Sequence, residues 1–197
     1  YLRQEINGLE VRATDGLLRR SQATYEEIVE FRPDILGLSL YTAVALGGYD
    51  LANRVKRALP QTLIVAGGPH ATALPQDVLI RSAAEVVVVG EGEVTLTELV
   101  RLYQEHGAWH PDDLSRVNGV AFRCGDEVIQ TKPRAYIADL DTIPFPARDL
   151  LPFADYRGYY FRQRTPEYPM VFTRGCPFEC TFCAEAVWKQ TKPVGAF

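Results

Sequence analysis

Three short apolar runs, separated by stretches whose apolar residues recur every three or four positions, set the rhythm of this chain. Ile35-Leu36-Gly37-Leu38-Ser39-Leu40, Thr62-Leu63-Ile64-Val65-Ala66 and Val86-Val87-Val88-Val89 are nearly unbroken rather than alternating. Such runs are what parallel strands covered on both faces require. Between them the period changes. Ser21 to Phe31 predicts an amphipathic helix, with Thr24 as N-cap and Glu27 as its capping-box partner, ended by Pro33-Asp34. Gly47 to Leu59 carries a helical stripe at Leu51, Ala52, Val55 and Leu59, and Val94 to His106 another at Leu96, Leu99, Val100 and Tyr103. Pro75 to Ser82 predicts a short helix that starts on proline. Strands alternating with helices at this spacing indicate an α/β fold with a doubly wound parallel sheet.

The ends of the chain read differently. Tyr1 to Gly8 reads as the end of a helix stopped by Asn7-Gly8, followed by a strand over Leu9-Glu10-Val11-Arg12-Ala13. A start inside a helix leads us to expect a first strand upstream of Tyr1, near the centre of the sheet. Val117 to Arg123 and Glu127 to Thr131, joined by Cys124-Gly125-Asp126, read as a β-hairpin connecting two parts of the chain. After it, Asp139-Leu140-Asp141-Thr142-Ile143-Pro144-Phe145-Pro146-Ala147-Arg148 reads as an extended linker, with aromatics through Tyr160 acting as packing anchors.

Composition narrows the class. The 197 residues make room for one ordinary domain and part of another. With 47% hydrophobic and 23% charged residues the composition is that of a soluble globular protein. No run has the length of a membrane helix and no basic start precedes an apolar core, so a cytoplasmic location without a membrane partner is expected. A net charge of −4 argues against a nucleic-acid partner.

The candidate chemistry falls in two places. Thr173-Arg174-Gly175-Cys176-Pro177-Phe178-Glu179-Cys180-Thr181-Phe182-Cys183 places three of the four cysteines at i, i+4 and i+7. Three thiolates in one loop suit a soft metal centre, zinc or an iron–sulfur cluster, rather than a disulfide framework. Structural zinc takes four ligands, and the fourth cysteine, Cys124, lies in another segment. A cluster on three cysteines leaves one iron open to a small molecule. The second place is the carboxyl ends of the strands, where open parallel sheets bind ligands. Those ends are Ser39-Leu40-Tyr41-Thr42, Gly67-Gly68-Pro69-His70 and Gly90-Glu91-Gly92-Glu93, all of which let a ligand come close to the backbone. Dinucleotide binding competes for the same crevice, but no G-x-G-x-x-G is present.

The cysteine loop, C-x-x-x-C-x-x-C with an aromatic before the third cysteine and directly after Pro169-Met170-Val171-Phe172-Thr173, resembles the cluster loop of radical S-adenosylmethionine enzymes. With the three strand ends upstream of it, the chain resembles the cobalamin-dependent members of that family, among them methyltransferases and the anaerobic oxidative cyclase acting on magnesium-protoporphyrin IX monomethyl ester. The resemblance implies a flavodoxin-like or Rossmann-like cobalamin-binding domain at 1–133, a linker at 134–169 and the start of a (β/α) radical barrel at 170–197, cut short because a whole barrel needs roughly 250 residues. It implies that Cys176, Cys180 and Cys183 hold a [4Fe–4S] cluster and that Phe182 lies near the adenine of S-adenosylmethionine. It places Ser39, Tyr41 and Thr42 along the nucleotide tail of cobalamin, with Gly67 and Gly68 making room for it and the Gly90-Glu91-Gly92 loop closing the crevice. It also implies a flavodoxin- or ferredoxin-like reductant and a small-molecule substrate, with radical chemistry used for methyl transfer or oxidative cyclisation. Two other readings stand beside it. One is a cobalamin-binding or flavodoxin-like regulatory module with a structural zinc site. The other is a methylthiotransferase, which would need three more cysteines in the first domain, where only Cys124 is found.

Overall fold

The computed structural model describes residues 1–16, 18, 21–152, 170–171, 173–178, 180 and 182–183. The apolar runs form three parallel strands, β1 (Ile35–Ser39), β2 (Leu63–Gly67) and β3 (Val86–Val88), with Gly37 opposite Val65 and Val65 opposite Val86. Helices α2 (Ser21–Phe31), α3 (Ala45–Ala58), α5 (Pro75–Arg81) and α6 (Glu93–His106) stand where the periodic stretches predict them. Two four-residue helices, α1 (Leu2–Glu5) and α7 (Pro111–Leu114), and the five-residue α4 (Pro69–Ala73) complete the α-helices among the described residues.

The hairpin has a larger part than that of a connector. Its strands, β4 (Val120–Cys124) and β5 (Glu127–Gln130), join the same sheet antiparallel, giving a five-stranded mixed sheet in the order β1-β2-β3-β4-β5. The reason is hydrogen bonding: the open side of the fully buried β3 needs a strand to take its N–H and C=O groups. Val120, Ala121 and Phe122 are fully buried as a result.

Two apolar layers enclose the sheet. On one face Ile64, Ala66 and Val87 meet Ala45, Tyr49 and Ala52 of α3 and Val78 and Leu79 of α5. On the other, Val65, Val86, Val88 and Phe122 meet Leu99 of α6 and Leu114 of α7. Alternate residues of each strand supply the two layers, as the pleat requires. Each fully buried Leu, Ile, Val or Phe contributes roughly 1.5–3 kcal/mol relative to exposure.

Two expectations at the amino-terminal end are corrected. Leu9–Ala13 forms no strand, because an extended segment becomes one only where a neighbouring strand takes its hydrogen bonds. Thr24 does not cap α2. The helix already runs from Ser21, so Thr24 has helical rather than cap geometry, and it is buried. In the linker, Phe145 between its two prolines is 86% exposed and anchors nothing among the described residues. The aromatics from Phe153 to Tyr160, and Pro169 and Phe172 of the run before the cysteines, lie outside the described residues.

Candidate functional site

The carboxyl ends of β1, β2 and β3 are stitched into one rim by short-range bonding. The Leu40 N–H donates to Gly67 O at 2.8 Å, and the His70 N–H donates to Leu40 O at 3.0 Å. The Gly90 N–H donates to Thr72 Oγ1 at 3.1 Å, which ties the third strand end to α4. The crossing is tight at Gly68. Its φ is +91° and its ψ −178°, a region open essentially to glycine. A Cβ there would lie 3.0 Å from both Leu40 N and Leu40 O.

Above this rim, on the α6 face of the sheet, lies a cleft of about 1170 Å³. Its floor is Gly37, Ser39, Gly67 and Val88, and Gly90, Glu91 and Gly92 form one wall. Gly37 and Ser39 are exposed, so no side chain of the described residues covers this end of β1. A Cβ at Gly67 would meet only Val88, at an ordinary contact distance of 3.8 Å. Further lining comes from farther along the chain, from Tyr136, Ile137 and Leu140 of the linker and from Thr173, Arg174 and Cys176 of the cysteine loop. The volume exceeds the roughly 300–1,000 Å³ of ordinary small-molecule pockets, and Gly37 and Gly67 keep its floor low. These are the properties that a flat, tetrapyrrole-sized ligand needs, so the residues present fit cobalamin.

The cleft brings together six of the expected contacts, Ser39, Gly67, Gly68, Gly90, Glu91 and Gly92, with Cys176. Tyr41 and Thr42 do not line it. Tyr41 is 60% exposed, and the Thr42 hydroxyl is turned to His70 Nδ1 at 3.2 Å. Phe182 is 90% exposed and also lies off the cleft. Cys176, Cys180 and Cys183 are all exposed and none is in a disulfide. The Cys183 N–H donates to Cys180 O at 3.1 Å, so these two cysteines close one turn. Among the described residues no three His, Cys, Asp or Glu side chains gather as a metal site. The donors suit a soft cluster in chemistry, and the structure supplies no cluster geometry.

His70, which follows the glycine pair at the end of β2, is buried in a side-chain relay. Its Nε2 lies 2.7 Å from Tyr49 Oη, and Tyr49 Oη donates to Asp77 Oδ2 at 2.9 Å. Because the Tyr49 proton goes to Asp77, Nε2 carries the histidine proton and Nδ1 accepts from Thr42. Arg81 pairs with Asp77 and lies over the Tyr49 ring. Burial, together with the bond to Asp77, pushes the Tyr49 hydroxyl up to about 12.

Tyr136, Ile137 and Leu140 of the linker, and Arg174, line the cleft without being among the contacts expected from the sequence. The only signals were the aromatic density of the linker and the arginine two residues before Cys176, and neither says which surface it meets.

Comparison with known proteins bears on the cleft directly. Residues 1–100 match the family described as the B12 binding domain. The chain belongs to this family. The B12-binding domain has relatives among methyltransferases and cyclases. It is 31% identical over 183 residues to an uncharacterised methyltransferase of Pyrococcus horikoshii, covering 90% of this chain and 38% of that protein. It is 32% identical over 167 residues to the anaerobic magnesium-protoporphyrin IX monomethyl ester cyclase of Cereibacter sphaeroides, covering 83% and 26%. With the cobalamin-dependent radical SAM methyltransferase TokK of Streptomyces tokunonensis the identity is 34% over 166 residues, covering 82% and 23%. The chain thus spans between about a quarter and two-fifths of the length of these relatives. Its fold resembles part of the radical S-adenosylmethionine methyltransferase TsrM of Kitasatospora setae, solved with cobalamin and a [4Fe-4S] cluster bound. The TM-score is 0.56 at 19% identity, over 67% of this chain and 24% of that one. Among the described residues no helix is long and apolar enough to cross a membrane.

Proposed function

We propose that this chain is the cobalamin-binding portion of a radical S-adenosylmethionine enzyme, with the start of its radical domain attached. The observation that carries the reading is the cleft itself: a floor that includes Gly37, Ser39 and Gly67 at the strand ends, with the loop that bears Cys176 contributing to its wall. Membership of the B12-binding family and the relatives named above support it. On this reading residues 1–133 form the cobalamin domain, 134–169 the strap that leads away from it and 170–197 the beginning of the radical domain.

The residues have separate tasks. Gly67 and Gly68 keep the floor clear, the Ser39 hydroxyl offers a donor and an acceptor to the ligand's polar edge, and the turn from Gly90 to Gly92 walls one side. Cys176, Cys180 and Cys183 would hold a [4Fe–4S] cluster, with Phe182 beside S-adenosylmethionine. When bound, these groups supply reductive cleavage of S-adenosylmethionine and a cobalt centre for methyl transfer or redox work on an unactivated carbon. A low-potential flavodoxin- or ferredoxin-like protein in the cytoplasm is the reductant this chemistry needs.

The test uses the full-length protein purified without oxygen. Hydroxocobalamin titrated calorimetrically should give saturable one-to-one binding, and iron with sulfide should be recovered from the wild type and from Cys124→Ala. Cys176→Ala, Cys180→Ala and Cys183→Ala should each lose the iron. No heat from a folded protein overturns the cobalamin reading. Stoichiometric zinc, or equal iron in all the variants, overturns the cluster reading and leaves a regulatory module in its place.

A further inference from the structure

Arg174 stands two residues before Cys176, and its guanidinium forks across two acids of the turn that follows β3. Nη1 donates to Glu91 Oε1 at 3.1 Å and Nη2 to Glu93 Oε1 at 2.5 Å. The other oxygen of Glu91 accepts from the Ile137 N–H at 2.7 Å. One carboxylate therefore holds two distant segments, the linker and the cysteine loop, to the end of a strand about 50 to 80 residues earlier. All four residues line the cleft.

The surroundings make this more than a surface pair. The side chains of Glu91 and Glu93 are only 12% and 21% exposed, against 38% for Arg174. Two carboxylates so close and so little hydrated repel each other unless a cation lies between them. Burial would raise the Glu93 carboxyl, but its bonds to Arg174 and to backbone outweigh that and hold it below the usual carboxylate range. Only a planar fork can address both acids at once, so lysine is not equivalent here.

We propose that Arg174 and Glu91 are positioning residues: the Arg174–Glu91–Glu93 cluster latches the cysteine loop against the mouth of the cleft and keeps Cys176 in its wall. The Glu91 carboxylate is thereby spent on protein contacts and does not serve as a cofactor ligand. The inference rests on the cobalamin reading for its purpose, but the latch is a contact within the protein and can be measured without any cofactor.

The experiment follows chymotryptic cleavage after Phe178, which is exposed beyond the latch, in the cofactor-free full-length protein. Hydrogen exchange is followed at Ile137 and along β2. Arg174→Gln and Glu91→Gln should each speed cleavage about tenfold while β2 keeps its protection, and the double variant should be no faster than either alone, because the residues act as a unit. Arg174→Glu should be faster still, and adding Glu93→Arg should slow it again. Wild-type cleavage rates in Arg174→Gln, or no rescue by the charge swap, overturn the latch. If Arg174→Glu loses β2 protection and so is unfolded, Arg174→Lys decides in its place, with severalfold faster cleavage expected and a wild-type rate overturning the idea. Hydroxocobalamin release, measured separately, should be about tenfold faster from Arg174→Gln. A wild type that binds no hydroxocobalamin removes the cofactor reading, while the cleavage rates still decide the latch.

Discussion

At the scale of single residues, Gly68 shows how little freedom the floor of the cleft has. Its backbone lies where side chains are strained, and a methyl group there would press on the Leu40 backbone and lie 3.1 Å from Ser39 Oγ. The Ser39 hydroxyl can turn aside but the Leu40 backbone cannot, so the strand ends themselves must move. We expect Gly68→Ala to lower stability by about 2–4 kcal/mol in urea unfolding. In protein that still folds, it should weaken hydroxocobalamin binding more than Gly67→Ala, whose methyl group has room. The Gly67-Gly68 pair was visible in the sequence as a gap left for a ligand. That only the second glycine is conformationally obligatory was not, because the demand comes from Leu40, 28 residues earlier in the chain.

At the scale of elements, the relay from Arg81 through Asp77, Tyr49 and His70 to Thr42 joins α5, α3, α4 and the turn after β1. Removing the Tyr49 hydroxyl leaves a buried imidazole N–H without its acceptor, at a cost of about 1–3 kcal/mol. We therefore expect Tyr49→Phe to lower the urea midpoint at neutral pH. The pH dependence has a definite sign. A tyrosine titrates near 10 in the unfolded chain and is pushed up to about 12 here by burial and by Asp77. Its contribution is fully present below about pH 10 and is lost as the pH rises towards 12. Over that window wild-type stability should fall more steeply than that of Tyr49→Phe, and equal slopes would contradict the relay. The helices themselves were legible from their stripes, often to within two residues. The relay was not, since Tyr49 reads simply as one more large residue near an apolar face.

At the scale of the whole molecule, one sheet carries both apolar layers, so damage to either should spread. Phe122 lies on the hairpin, where the sequence suggested only a connection, yet it is fully buried between β3 and the helices of the second layer. Phe122→Ala should cost about 3–5 kcal/mol, measured by urea unfolding. The loss should appear together in the far-ultraviolet signal and in exchange at β1 and β2, not in the hairpin alone. A hairpin that unfolds by itself, with β1 and β2 still protected, would mean that it is a separate unit. The same scale explains the cleft. Its walls come from the first eleven residues, from three strand ends, from the linker and from the cysteine loop, and no window of sequence contains them together.

The amino-acid sequence by itself determined the alternation of strands and helices, the glycine-rich strand ends and the spacing of three cysteines. These depend on local period, on backbone freedom and on the reach of one short loop. Tertiary structure alone decided that the hairpin completes the sheet, that His70 is buried in a relay, that Leu9–Ala13 stays unpaired and that Arg174 ties the cysteine loop to Glu91 and Glu93. Each of those outcomes turns on whether groups far apart in the chain meet. Hydrogen bonds and ion pairs of that kind are selected by which surfaces are left open once the core has formed, and that selection leaves no periodic trace in the order of the residues.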